Sequence, residues 1–347
     1  MPESWNDRAA AAEAAVTSRH LRRLWGLPGT RQGVVASPSD FRERLFIPWH
    51  YWWQAHLLDC LIDAELRAPS KSRRASIRGV VRAQRIHNLG RWTNDFYDDM
   101  AWLALALQRA QDAGLAGRPR AINAIADRIR RAWSNEHGGI PWNTRDTFRN
   151  TPANGPAAIL LARLGHLERA EQMARWIGSR LYDPDTGLVF DGLHPEDPDG
   201  SRGEFFSYNQ GVVLGAETEL ARRSADSSDH QRRVADLVTA IRRHLATDDV
   251  LHSHGTGDHG LFTGILARYL GLVWSVLPAT SDAGRRAKAA ASELIRCSAD
   301  AAWANAGHRD GLPVFGANWT GPAADTGDLS VQLGGWMLIE AAAAVER

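Results

Sequence analysis

The sequence predicts an all-α protein in which twelve helices form a closed double ring. Three observations carry that expectation. Ala-, Leu- and Arg-rich segments with apolar residues three and four apart recur along the 347 residues, while the alternating β-branched pattern of strands is almost absent. Connections alternate between tight turns and long loops, which pairs the helices into antiparallel hairpins and sends every long loop to one end. Those long loops collect Gly, Pro, Asp, His and Trp, and loops gathered on one face of a rigid scaffold are where sites are built.

In order, helices are expected at about 3–25, 50–67, 71–88, 95–114, 118–136, 151–164, 166–181, 206–224, 228–246, 259–277, 281–306 and 329–345. Tight turns follow the even ones: Ala68-Pro69-Ser70, Leu115-Ala116-Gly117, Gly165, Ala225-Asp226-Ser227 and Pro278-Ala279-Thr280. Long loops follow the odd ones at 26–49, 137–150, 182–205, 247–258 and 307–328, and only Leu89–Thr93 is brief. Six hairpins with all long loops at one end place the even-numbered helices inside. No linker, low-complexity tract or charge block divides the chain, so residues 1–347 are expected to form one domain.

Composition narrows the partner. Lys plus Arg (41) nearly cancel Asp plus Glu (40), which argues against nucleic acid or a membrane surface and for a neutral ligand. Cys60 and Cys297 sit in apolar helical stretches without metal-ligand spacing and read as reduced core residues. The N-terminal stretch from Met1 to Arg8 lacks the apolar run of a signal peptide, and no segment reaches the length of a membrane span, so a cytoplasmic protein is expected. Tryptophan is the outlier, with 14 residues. Trp5, Trp133, Trp176 and Trp303 fall on outer helices and read as packing. Trp49, Trp52, Trp53, Trp92, Trp102, Trp142 and Trp319 fall on the long-loop face or at inner-helix starts, where flat indoles suit the CH-rich faces of sugar rings.

The chemistry centres on Asn94-Asp95-Phe96-Tyr97-Asp98-Asp99-Met100-Ala101-Trp102, which opens inner helix four on the long-loop face. Acids in a first helical turn can simply complement the helix dipole. That reading does not explain why they stand at the mouth of the ring. Glycoside hydrolysis needs two carboxyl groups near one bond, one protonated and one ionised. Asp98 and Asp99 diverge by about 100° on a helix, yet their carboxyls can lie about 5 Å or slightly more apart, a retaining spacing. Mutual repulsion would then split their pKa values.

Further short motifs appear in order: Tyr51-Trp52-Trp53-Gln54, Gly138-Gly139-Ile140-Pro141-Trp142, Asn150-Thr151 with Asn154, Phe190-Asp191-Gly192, Tyr208-Asn209-Gln210-Gly211, and Leu261-Phe262 with Arg268-Tyr269. With the Asp98-Asp99 stretch, this set resembles glycoside hydrolase family 76, the α-1,6-mannanases with an (α/α)6 barrel, from about residue 50 to 340. The resemblance implies retaining endo-hydrolysis of α-1,6-linked mannan without a cofactor. It implies Asp98 as nucleophile and Asp99 as general acid/base, with Trp53, Asn94, Trp142, Asn154, Asp191, Tyr208, Asn209 and Phe262 as sugar contacts. Pro141 replaces a frequent aromatic and Thr263 an expected Lys, so each departure points to a reshaped subsite.

Other readings remain open on the residues alone. A catalytically altered carbohydrate-binding protein is one, and another sugar-processing enzyme of the same ring architecture is a second, although a uronate substrate would call for a basic cleft. An isoprenoid synthase would need a carboxylate where Trp102 stands. The run His252-Ser253-His254-Gly255-Thr256-Gly257-Asp258-His259 lacks the helical spacing of strong metal motifs. It reads as a capping loop, with Asp258 before helix ten echoing Asp328 before helix twelve.

Overall fold

The computed structural model describes residues 4–197, 202–225, 227–324 and 327–347. The expected helix start at Glu3, Asp226 in the turn after helix eight, and residues 198–201 and 325–326 of two long loops lie outside the described residues. Among the described residues the twelve long helices are α1 (Trp5–His20), α2 (Tyr51–Arg67), α3 (Lys71–His87), α4 (Tyr97–Asp112), α5 (Pro119–Arg131), α6 (Thr151–Arg163), α7 (Leu167–Arg180), α8 (Ser207–Arg223), α9 (Ser227–His244), α10 (Phe262–Val276), α11 (Asp282–Ala304) and α12 (Leu329–Glu346). One further helical turn, Phe41–Arg44, lies inside the first long loop.

The even helices form the inner ring. Each packs on the next, from α2 through α4, α6, α8 and α10 to α12, which closes back on α2. Sequence dictates this sorting through the width of the apolar surface. Inner α6 and α12 are buried almost all round, down to Asn154 and Gln332. Outer α3 buries only Ile77, Gly79, Val80, Val81, Ala83 and Gln84 and turns its arginines outward, the one-sided pattern of a surface helix. The inner ring closes tightly where two glycines meet. A Cβ on Gly264 of α10 would fall 2.5 Å from the Cα of Gly334 on α12. This is an (α/α)6 barrel.

Two helices end early for a local reason. The expected α1 reached residue 25, but it stops at His20, whose Nδ1 lies 2.9 Å from the Val34 carbonyl, as β1 (Leu21–Arg22) pairs with β2 (Gln32–Gly33). The expected α5 reached 136; it stops at Arg131, and the chain reverses through Gly138 and Gly139, both at positive φ and lying flat on Trp176. Small ribbons also brace the long loops, and their two- and three-residue lengths leave no alternation to read. They are β3 (Arg149–Asn150) with β4 (Gly192–Leu193), β5 (Ala246–Thr247) with β6 (Val250–Leu251), and β7 (Gly307–Arg309) with β8 (Leu312–Val314). Cys60 is buried and its thiol is pushed up by burial, whereas Cys297 is only half-buried and so not the core residue expected.

Candidate active site

The floor of the site is the first turn of α4. Its N-cap, Phe96, offers no side-chain acceptor, so the turn's exposed N–H groups favour the acids that follow. The loop after α5 is tied onto this turn: Tyr97 N–H donates to the Trp142 carbonyl (2.9 Å), and Trp142 N–H to the Phe148 carbonyl (2.7 Å). Held there, Trp142 donates its indole N–H to Asp98 Oδ2 at 3.0 Å. The backbone N–H of Asp99 reaches Asp98 Oδ1 at 2.9 Å. Both Asp98 oxygens therefore accept hydrogen bonds, which favours the carboxylate. Asp99 receives one donor, Asn94 Nδ2 on Oδ2 at 2.6 Å, and Asn94 is itself fixed by accepting from Phe96 N–H at 3.0 Å.

Electrostatics separates the pair. Burial pushes Asp98 up to about 6, held back by its hydrogen bonds from the Asp99 backbone and Trp142. Burial, and then the neighbouring Asp98 charge, push Asp99 well above the usual carboxylate range. The arrangement favours ionisation of Asp98 ahead of Asp99, the order that acid-assisted displacement uses.

The pair opens into a hollow of about 560 Å³, the size of a small-molecule site. Its walls come from the starts of inner helices and from four long loops. The first loop and α2 give His50, Tyr51 and Trp52; α4 adds Phe96 and Trp102; the loop after α5 gives Trp142, Asp146, Phe148 and Asn150. Asp191 and His194 come from the loop after α7, and Tyr208, Asp258 and Phe262 complete the ring. Tyr208 and Phe262 stack at 3.9 Å and 15°. Among the described residues no Lys or Arg lines the hollow, while Asp98, Asp99, Asp146, Asp191 and Asp258 do. Larger concavities of 650 and 740 Å³ lie on the outside of the ring, away from the inner-helix N-termini.

A sequence model described as glycosyl hydrolase family 76 matches residues 8–346. The chain belongs to glycosyl hydrolase family 76. The fold agrees with solved structures of similar proteins. The GH76A α-1,6-mannanase of Salegentibacter sp. HEL1_6 is 28% identical with a TM-score of 0.85, the alignment covering 99% of this chain and 100% of that one. An inactive variant of that enzyme, with two consecutive aspartates changed to asparagine, is solved with α-1,6-mannotriose (27% identity, TM-score 0.84, 99% and 100% covered). The Lin0763 protein of Listeria innocua is 26% identical with a TM-score of 0.85, over 99% and 98% of the two chains. No protein of curated function matches the sequence.

In this family-76 chain the residues expected at the site divide into two groups. Asp98, Asp99, Trp142, Asp191, Tyr208 and Phe262 line the hollow. Trp53, Asn94, Asn154 and Asn209 stand outside its lining. Trp53 is buried with its indole N–H on Asp258 Oδ1 at 2.7 Å. Asn94 is occupied with Asp99, and Asn209 Nδ2 with Asp191 Oδ1 at 3.0 Å. Asn154 is fully buried and ties α6 to the loop after α5 through Ile140 N–H (2.8 Å), Ile140 O (2.9 Å) and Asn150 O (2.8 Å). These polar groups hold the wall from behind. Asn154→Ala should accordingly cost about 2–4 kcal/mol of stability, because it strands buried backbone groups; urea unfolding measures it, and an unchanged midpoint would show that the tie is dispensable.

The expected cap at Asp258 is a correction. That residue does not cap α10; it accepts from the indoles of Trp52 (3.2 Å) and Trp53 (2.7 Å) and lines the hollow, while Asp328 does cap α12 and also accepts from Gly257 N–H. The histidine run packs against the aromatic wall. His254 Nε2 accepts from Ser207 N–H at 3.1 Å, its ring and that of His259 lie against Phe206 and Phe262, and no metal-binding set occurs among the described residues. Of the loop-face tryptophans, Trp52, Trp102 and Trp142 reach the hollow, whereas Trp49, Trp53, Trp92 and Trp319 pack behind it. His50, Asp146, Phe148 and His194 also line the hollow without any sequence signal, since isolated residues in aperiodic loops carry no spacing pattern. Pro141 and Thr263 stand outside the lining; Thr263 Oγ1 donates to the His252 carbonyl at 2.8 Å.

Proposed function

We propose that this family-76 chain is a retaining endo-α-1,6-mannanase with Asp98 as nucleophile and Asp99 as general acid/base. The observation that carries the reading is the unequal bracing of two consecutive aspartates on the floor of one aromatic hollow. The Asp98 carboxylate attacks C1 of a mannosyl unit while Asp99 delivers its proton to the departing glycosidic oxygen. A water then attacks the mannosyl ester, giving its proton to the Asp99 carboxylate, and Asp98 leaves. Two inversions at C1 return the α-configuration. Support for the substrate comes from the likeness to α-1,6-mannanases, one of them bound to α-1,6-mannotriose with its two consecutive aspartates replaced.

The hollow also suits a neutral hexose. Trp52, Trp102, Trp142 and the Tyr208–Phe262 stack give flat apolar faces, and the carboxylates accept from hydroxyls. Hydrolysis of α-1,6-mannotetraose followed by NMR should release internal cleavage products whose first-formed reducing sugar is the α-anomer. The β-anomer appearing first would overturn the retaining assignment. Calorimetric binding of the oligosaccharide with no reducing sugar released would replace the enzyme with a carbohydrate-binding protein.

A further inference from the structure

Exposed apolar side chains are unevenly distributed on this surface. Of the ten large ones among the described residues, six (Trp25, Leu27, Phe41, Leu45, Ile47 and Leu89) fall on one shoulder beside the hollow. Scattered singly they would need no explanation; concentrated, they mark an interaction site. Contacts tie together the two segments that carry them. Trp25 donates its indole N–H to the Leu45 carbonyl (2.9 Å) and meets the His87 ring edge-on at 5.1 Å, and Arg85 Nε donates to the Gly90 carbonyl at 3.1 Å. The first long loop therefore lies over the C-terminal end of α3 and the brief turn that follows it. Trp49, between Ile47 and the hollow-lining His50, stacks on His87 at 3.9 Å, so the shoulder continues directly to the lip of the site.

Charge in the same segments is one-sided. Residues 22–47 and 78–91 contain nine arginines and only two acids, Asp40 and Glu43. Those two acids cap each other's backbone around the helical turn Phe41–Arg44. Among the described residues none of the nine arginines is in an ion pair with Asp or Glu. Elsewhere on α3, by contrast, Arg73 and Arg74 are paired with Glu13 and Glu65. Arg78, Arg82 and Arg85 follow one another at four- and three-residue steps, which makes an outward stripe along α3 that ends at Leu89. The near-zero net charge that argued against a membrane surface is a sum, and it hides this concentration.

We infer that this shoulder docks on an anionic lipid bilayer. Phe41, Leu45, Ile47 and Leu89 would enter the acyl boundary while Arg42, Arg44, Arg82, Arg85 and Arg91 engage headgroup phosphates, the division of labour of interfacial anchors. No helix among the described residues is long and apolar enough to cross a membrane, so the attachment is peripheral. Docked this way, the hollow opens beside the bilayer.

Co-sedimentation with phosphatidylcholine vesicles, with and without phosphatidylglycerol, tests the inference and reads no enzymatic activity. Wild-type protein should pellet with the phosphatidylglycerol vesicles at low salt and progressively less as salt rises. Phe41→Asp combined with Ile47→Asp should abolish pelleting. Arg42→Ala combined with Arg44→Ala should weaken it roughly 30-fold, about fivefold per arginine. An unchanged melting temperature in both variants would tie the loss to the surface. Wild-type protein remaining in the supernatant at low salt, variants that pellet like wild type, or a dimer in analytical ultracentrifugation that the same substitutions dissolve would each overturn it.

Discussion

Asp98→Asn and Asp99→Asn should each lower kcat/KM on α-1,6-manno-oligosaccharides by about a thousandfold or more, because each removes one half of a divided task. The two losses should differ in kind. Without Asp98 no glycosyl ester should form under the proposed mechanism, so every substrate should suffer. Without Asp99 only the protonation of the departing oxygen is lost, and an aryl α-mannoside whose phenolate leaves unaided should still release its phenol in a rapid first step. The opposite pattern would exchange the two roles, and near-normal activity in both variants would remove the pair from the mechanism.

Stability supplies an independent check with a definite sign. Both carboxyls have folded-state pKa values raised above the ordinary value of 3.8, so the folded chain holds more protons than the unfolded one. Stability must then fall as pH rises from about 4 through 6 and beyond. The asparagine variants lack that loss. Their melting temperatures should match wild type near pH 4 and equal or exceed it at pH 7. A lower melting temperature at pH 7 would mean that the pair serves packing instead of chemistry.

Trp142→Phe should move the acid limb of the kcat/KM profile upward by about one pH unit. The indole N–H on Asp98 Oδ2 stabilises the ionised form, and a hydrogen bond to a charged group contributes about 1.5–3 kcal/mol, against 1.36 kcal/mol per pKa unit. Trp142 is 36% exposed, so water takes over part of the role and the lower end of that range applies. Losing the donor raises Asp98 from about 6 toward 7, and activity on the acid side of the profile should fall about tenfold. A drop in kcat/KM with the limb unmoved would reduce Trp142 to a sugar platform.

Much of the scaffold could be read directly. The alternation of tight and long connections sorted the helices into inner and outer rings, because turn chemistry is local in sequence. The position of Asp98 and Asp99 at the mouth followed from the same count. The ribbons were not legible, since two residues cannot show a period. Nor could spacing distinguish a side chain facing the hollow from one supporting its wall. Asn94, Asn154 and Asn209 lie in the same motifs as lining residues, yet each spends its amide on a neighbour. Asp258 stands in an N-cap context, but two indoles from α2 claim its carboxylate.

By itself the sequence determined the helical hairpins, the single end at which the long loops gather, and the aspartate pair at an inner helix start, because periodicity and turn chemistry act over a few residues. Only the tertiary structure decided which polar groups meet the cavity and how unequally the two acids are braced. Direction, burial and hydrogen-bond partners arise from contacts between residues tens or hundreds apart, as when Trp142 reaches Asp98 and Trp52 reaches Asp258. Ring closure creates those contacts, and no local pattern encodes them.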